Sequence, residues 1–300
     1  MNKNIDSNDI EQIVELKEKL FPEVEIKTID RLGGLTNHSY HITMTDSKEY
    51  VFRLPGDGTE EIINRSHEKI STELACDLDI DTELLFFDAD TGKKVSRYIK
   101  NAITMSPNSM KEEKNIIDAA KVLKKLHTSE IDTKVPFEVF DMANEYERFI
   151  KKNDGSFYED YSIIREKVMQ LKEEVDKLGY VYVSSHNDPL CENWIRSGDR
   201  MYLVDWEYAG MNSPFWDLAD VSIEAELDEE QDILILESYL GRHAKTDELF
   251  CFQANKIYLD FLWSLWGKTR VPFEGESMER YALERYNRMK LNFKKIAPKF

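Results

Sequence analysis

The sequence predicts an α+β chain of two lobes, a small antiparallel-sheet lobe over residues 1–100 and a larger helical lobe over 101–300. Three observations predict it. Short runs of β-branched and aromatic residues, separated by turn residues, fill the first third of the chain. Beyond residue 104 the apolar residues recur instead at helical spacing, in six separate segments. At 300 residues, 41% of them hydrophobic, the chain has material for a core in each lobe.

The elements follow in order. Residues 9–21 place Ile10, Ile13, Val14, Leu16 and Leu20 on one helical face, with Asn8 and Glu11 at capping-box spacing. Strands are expected at 28–32, 40–45 and 50–54, the last two joined by the turn Asp46-Ser47-Lys48. Residues 61–76 read as a helix. Strands at 84–88 and 94–99 form a second hairpin that turns at Asp90-Thr91-Gly92. Residues 97–101 are the expected hinge between the lobes. Helices are expected at 110–127, 141–152, 157–178, 229–240, 246–268 and 277–295, interrupted by a hairpin that begins near residue 184.

Charge and composition set aside several function classes. The net charge of -18 argues against nucleic acid and against anionic membrane surfaces, since both attract basic patches. An acidic surface concentrates cations, so a cationic small-molecule substrate fits. No apolar run approaches the ~20 residues of a membrane span. The opening stretch MNKNIDSNDIEQIVELKEKLF is polar and then amphipathic, unlike a secretory signal. Cys76, Cys191 and Cys251 are odd in number and widely spaced. They suit buried thiols in a reducing compartment, and so the cytoplasm. No helix face stands out for pairing, which leaves the oligomeric state open.

The chemistry concentrates in residues 184–210, SSHNDPLCENWIRSGDRMYLVDWEYAG. His186, Asp188 and Asn193 follow the spacing His-x-Asp-x-x-x-x-Asn, and Asp205 ends an apolar run about a dozen residues later. That pattern matches the catalytic loop and metal-binding Asp of protein kinases. Phosphoryl transfer explains the residue types. A carboxylate must orient the attacking hydroxyl and take its proton, a task for Asp188. An amide oxygen and a second carboxylate must hold Mg²⁺ against the phosphates, a task for Asn193 and Asp205. His186 braces the loop. The alternative is a hairpin with polar turn residues, since Asp and Asn favour turns.

A phosphate-binding side is expected upstream. In RLGGLTNHSY, residues 31–40, Gly33 and Gly34 would let backbone N–H groups approach phosphate. The same pair also signals a plain hairpin turn. A cation on the third strand should hold the α/β-phosphates, and Arg53 is the only one in Tyr50-Val51-Phe52-Arg53-Leu54. Protein kinases use Lys there, and Arg is not interchangeable with it. A helix-borne carboxylate should pair with Arg53, Glu68 by first choice and Glu73 by second.

HNDPLCENWI and YLVDWEYAGMNSPFWDLAD, with RLGGLTN, VFRLPG and FLWSLWGK, resemble the choline/ethanolamine kinase family. They are most similar to its bacterial members that supply phosphocholine for surface decoration. The resemblance spans roughly residues 28–295, with the motifs in order. It implies a two-lobed protein-kinase-like fold and Mg-ATP-dependent transfer to the choline hydroxyl, giving phosphocholine and ADP. It implies Asp188 as base, Asn193 and Asp205 on Mg²⁺, and Gly33, Gly34 and Asn37 in the ATP phosphate loop. Arg53 would contact phosphate, and Tyr98 and Ile99 would flank adenine. Trp263, Trp266 and Tyr281 would form the choline cage, with Glu224 adding negative charge.

A quaternary ammonium has no N–H to donate, so aromatic faces recognise it through the ring quadrupole, at ~0.5–2 kcal/mol each. Trp263 and Trp266 are three residues apart, which puts them on one helical face. Their spacing alone also fits ordinary core, among Leu259, Phe261, Leu262 and Leu265. One departure from the pattern concerns the substrate. Eukaryotic members carry another aromatic just after the residue matching Glu224, and here AELDEEQ has none. Ethanolamine kinase, an aminoglycoside-type phosphotransferase and a non-catalytic binding protein of the same fold are the alternatives. Trp206 is expected to pack behind Asp205, Asp217 to fix the loop before a helix, and Glu207 has no assigned role.

Overall fold

The computed structural model describes residues 5–32, 37–56 and 63–296. In chain order it contains α1 (Ser7–Leu20), β1 (Ile26–Arg31), β2 (Asn37–Met44), β3 (Glu49–Pro55), α2 (Arg65–Asp77), β4 (Leu84–Phe87), β5 (Lys94–Arg97) and β6 (Ile103–Thr104). Next come α3 (Pro107–Met110), α4 (Glu113–His127), α5 (Val139–Lys152), α6 (Tyr161–Asp176) and β7 (Val183–Ser185). After a 3₁₀ turn at Cys191–Asn193 follow β8 (Trp194–Ser197), β9 (Arg200–Leu203) and β10 (Gly210–Asn212). The chain ends in α7 (Pro214–Glu224), α8 (Glu229–Leu240), α9 (Thr246–Glu274) and α10 (Glu276–Ile296).

The chain forms two compact units, Met1–Thr104 with Asn193–Ala209, and Met105–Glu192 with Gly210–Phe300. The sequence reading placed the whole of 101–300 in the second lobe. Pairing explains the difference for 193–209. β8 pairs with both β6 and β9, the Leu203 N–H reaches Ile80 O at 3.2 Å, and Trp206 Nε1 donates to Asp81 Oδ2 at 3.1 Å.

In the first unit a five-stranded antiparallel sheet has the order β1-β2-β3-β5-β4. Alternation decides its buried face. Tyr40, Ile42 and Met44 of β2 and Tyr50, Phe52 and Leu54 of β3 join Ile13 and Leu16 of α1 in one core. The β2–β3 turn is closed by the Asp46 side chain, which accepts the Lys48 N–H at 3.1 Å. Gly92, at φ 72°, closes the β4–β5 turn.

In the second unit α9 is buried on nearly every side from Cys251 to Leu265, the mark of a central helix. α5, α6, α7 and α10 pack against it. Gly275, at φ 69°, reverses the chain between α9 and α10.

Several boundaries differ from expectation, each for a local reason. The side chain that caps α1 is Asp6, which accepts the Asn8 N–H at 2.9 Å, not Asn8 itself. α2 starts at Arg65, where Asn64 Oδ1 accepts the N–H groups of Ser66 and His67 at 3.1 Å. The expected helix 110–127 is two helices, because Glu112 is extended between them. The helix expected just after Asp217 is α7, which starts earlier, at Pro214; Phe215–Ile223 is buried throughout, so no amphipathic period marks its bounds. All three cysteines are free thiols, and burial pushes each up to about 12.

Candidate active site

In the first unit, β3 and α2 bring a guanidinium and a carboxylate together inside the fold. Arg53 Nη1 lies 2.5 Å from Glu68 Oε1, and Glu68 is completely buried. Arg65 Nη1 reaches Glu68 Oε2 at 2.7 Å and Lys94 Nζ reaches Oε1 at 3.6 Å. Burial opposes ionisation of Glu68, but Arg53, Lys94 and Arg65 outweigh it and hold the carboxyl at about 2. Glu73 is exposed and lies 3.9 Å from Lys69 instead. Gly92 serves this cluster as well as its turn. Its carbonyl accepts from Arg53 Nη2 at 3.4 Å, and a Cβ there would stand 2.8 Å from Arg65 Nε.

Arg53 Nη1 also lies 3.4 Å from Asp205 Oδ1. Asp205 has φ 70°, uncommon without glycine, and its carboxylate keeps about a third of its surface exposed, at 34%. Two residues on, Glu207 Oε2 accepts from Asn37 Nδ2 at 2.9 Å and lies 3.5 Å from Arg65 Nη1. Burial first, and the Asp205 charge second, push Glu207 up to about 7. Asn193 ends the 3₁₀ turn, and its carbonyl accepts the Val204 N–H at 3.0 Å. Tyr98 stacks on His41 with ring centroids 3.7 Å apart, and Ile99 is buried. Gly33 and Gly34 lie outside the described residues.

In the second unit the loop after β7 is built on one carboxylate. Asp217 accepts the His186 N–H at 2.8 Å through Oδ2 and the Asn187 N–H at 2.7 Å through Oδ1. Its Oδ2 also lies 3.0 Å from His127 Nε2. Asp217 is therefore inside the first turn of α7 rather than before the helix, which Ser213 caps. Asn187 takes φ 69°, and its carbonyl accepts from Trp216 Nε1 at 3.0 Å. His186 is fully buried, and its Nδ1 accepts the Asp188 N–H at 3.3 Å. The half-buried Asp188 is held through its backbone on both sides, since its carbonyl accepts the Leu190 N–H at 2.8 Å.

The aromatic residues meet in the same unit. Trp263 and Trp266 contact edge to face, centroids 6.1 Å apart at 90°. Trp266 and Tyr281 do likewise at 5.9 Å and 77°. Gly267 permits this approach, because a Cβ there would stand 2.9 Å from Tyr281 Cδ1. Arg285 lies 4.9 Å from the Tyr281 ring centre, and its Nη2 is 2.6 Å from Glu224 Oε1. The negative charge expected of Glu224 is therefore largely offset by Arg285. Sequence reading missed Arg65, Arg285, His127 and Asp220, which no motif spacing singled out. Their signal is three-dimensional: each is a buried polar side chain whose surroundings come from distant stretches of chain.

These arrangements can hold phosphate charge in the first unit and place a carboxylate beside an aromatic group in the second. The family model for choline/ethanolamine kinase matches residues 28–260. The chain belongs to the choline/ethanolamine kinase family. Protein LicA of Haemophilus influenzae is 30% identical over 262 residues, covering 85% of this chain and 76% of that protein. The structure of choline kinase LicA from Streptococcus pneumoniae superposes with a TM-score of 0.82 at 32% identity, covering 96% of this chain and 100% of that one. A LicA structure in complex with AMP gives 0.76 at 32% identity, covering 95% and 98%. The chain thus has the kinase-like α+β fold of this family of small-molecule kinases.

Proposed function

We propose that this chain is a choline kinase, transferring the γ-phosphoryl group of ATP to the choline hydroxyl. The observation that carries the choice of acceptor is the edge-to-face set Trp263–Trp266–Tyr281 in the same unit as Asp188. Aromatic faces suit a trimethylammonium group, which offers no hydrogen-bond donor. LicA's name as a choline kinase supports the same reading.

Asp188 would orient the hydroxyl in line with the γ-phosphate and take its proton, so that catalysis is mostly positioning and charge stabilisation. Asp217 and His186 hold Asp188 in place for that step. Arg53, fixed by Glu68, would meet the phosphates from the first unit, and Asn37 would border their loop. Asn193 and Asp205 would hold Mg²⁺. Among the described residues no three His, Cys, Asp or Glu side chains gather as a metal cage. One amide and one carboxylate nonetheless suit Mg²⁺, which takes few protein ligands and completes its shell with water and phosphate. Once bound, the ion would offset the charge that develops on the phosphate oxygens. No helix among the described residues is long and apolar enough to cross a membrane. The free thiols and the need for ATP support action in the cytoplasm.

The test is ADP release from Mg-ATP with choline, ethanolamine or an aminoglycoside as acceptor. Choline-dependent turnover that falls roughly 10²–10⁴-fold in Asp188→Asn is expected. Turnover with ethanolamine or the aminoglycoside alone would keep the phosphoryl chemistry and overturn the acceptor.

A further inference from the structure

Asp220 is a buried carboxyl with no counter-charge of its own. It lies on α7 one turn before Glu224, on the same helical face, and is 1% exposed. Neither of its carboxylate oxygens has a hydrogen-bond partner among the described residues. A carboxyl so placed is costly to ionise unless a cation comes near.

Its surroundings are acidic on nearly every side. Asp217 and Glu224 come from its own helix, and Asp188 and Cys191 from the loop after β7. Tyr281 and Arg285 come from α10. Arg285 is the nearby cation, but Glu224 at 2.6 Å and Asp260 of α9 at 3.6 Å already engage it. His127 of α4 faces Asp217, and Asp232 of α8 is paired with Lys256 of α9 at 2.6 Å. Burial, then Glu224 and Asp188, push Asp220 well above the usual carboxylate range. Tyr281, whose ring centre lies 4.9 Å from Arg285, is within electrostatic reach of Asp220, Asp188 and Glu224 alike.

We propose that Asp220 is the group that answers the positive charge of the acceptor, holding a proton when no acceptor is bound and releasing it to solvent when a quaternary ammonium binds. The inference rests on the choline reading above and makes Asp220 a positioning residue that acts through space. Binding then converts a neutral carboxyl to a carboxylate on α7 and frees one proton. The sign follows from linkage: a step that releases a proton becomes more favourable as pH rises. The quaternary ammonium carries no proton and, without ATP, the choline hydroxyl keeps its own near pH 7, so a proton released on binding comes from the protein.

The experiment is titration calorimetry of choline into the full chain near pH 7, in two buffers of different ionisation enthalpy, for wild type and Asp220→Asn. Wild type is expected to release close to one proton per choline, and its affinity to rise several-fold per pH unit. Asp220→Asn is expected to bind choline with no proton release and a flat pH profile, a change that loss of packing alone would not produce. Should Asp220→Asn fail to fold, Asp220→Ser takes its place with the same expectation. Choline binding without proton release, or release retained in Asp220→Asn, overturns the inference and leaves the choline reading intact. Absence of choline binding to wild type at every pH overturns that reading and the inference with it.

Discussion

Arg53 Nη1 on β3 and Glu68 Oε1 on α2 lie 2.5 Å apart, and neither residue exceeds 4% exposure. Arg65 and Lys94 converge on the same carboxylate. Glu68 is thus the shared partner of three cations, and removing its charge leaves their buried positive charge short of a counter-ion. Glu68→Gln should cost ~3–5 kcal/mol of stability, read from urea unfolding. A loss below about 1 kcal/mol would mean that water or rearrangement already screens the cluster. Arg53→Lys keeps the charge but cannot meet Glu68, Asp205 and the Gly92 carbonyl together. It should raise the KM for ATP about tenfold while leaving the acceptor KM within about twofold.

The bracing of Asp188 predicts a different kinetic signature. Asp217 uses both oxygens on the backbone N–H groups of His186 and Asn187. Asn at this position offers one acceptor and turns an N–H toward the other donor, at a cost of roughly 1–3 kcal/mol. The loop then misplaces Asp188 rather than losing it. Asp217→Asn should lower kcat ~10–100-fold with both KM values little changed, because small misplacements act on the chemical step. A rise in KM alone, with kcat intact, would contradict the bracing role.

The aromatic set supplies a test on the acceptor side. Trp266 touches both Trp263 and Tyr281, so Trp266→Ala opens the whole arrangement. At ~0.5–2 kcal/mol for each aromatic face, choline affinity should fall roughly two- to thirtyfold, with the KM for ATP unchanged. Gly267→Ala should act in the same direction without removing a ring, since its Cβ would meet Tyr281 Cδ1 at 2.9 Å and force α10 aside. An unchanged choline KM in both variants would place the rings in the core and nowhere else.

The strands of the five-stranded sheet, most helices and the family motifs were legible in the sequence because each carries a local period or spacing. Alternation in 40–45 and 50–54 marked β2 and β3, and Asp46-Ser47-Lys48 marked their turn. α7 carried no such mark, because a helix buried all round has no polar face to set its period. Glu68 could be proposed for Arg53 only with Glu73 beside it as an alternative, since both sit on a charged helix and depth alone separates them. The same limit hid Arg65, which joins Glu68 and Glu207 across widely separated stretches of chain. Glu224 could be read, but the Arg285 that offsets it stands sixty-one residues later on another helix.

Asp81 should leave its own trace in the pH dependence of stability. It accepts the Thr82 N–H at 2.6 Å and the Trp206 indole N–H at 3.1 Å. Burial nevertheless dominates, helped by the Asp205 charge and opposed by Lys94, and pushes the carboxyl from 3.8 up to about 6. The folded protein therefore keeps a proton that the unfolded chain has already lost. Stability from this group is fully present below pH ~4 and is lost as pH rises through about 6, by ~3 kcal/mol at most. Asp81→Asn has nothing to titrate. It also loses an acceptor, and that cost is the same at every pH. The stability of the variant relative to wild type should therefore climb between pH 4 and pH 7, by about 2–3 kcal/mol in urea unfolding. A constant difference across that range would mean that Asp81 ionises in the folded protein as readily as in the unfolded chain, with Lys94 and its two hydrogen bonds fully offsetting its burial.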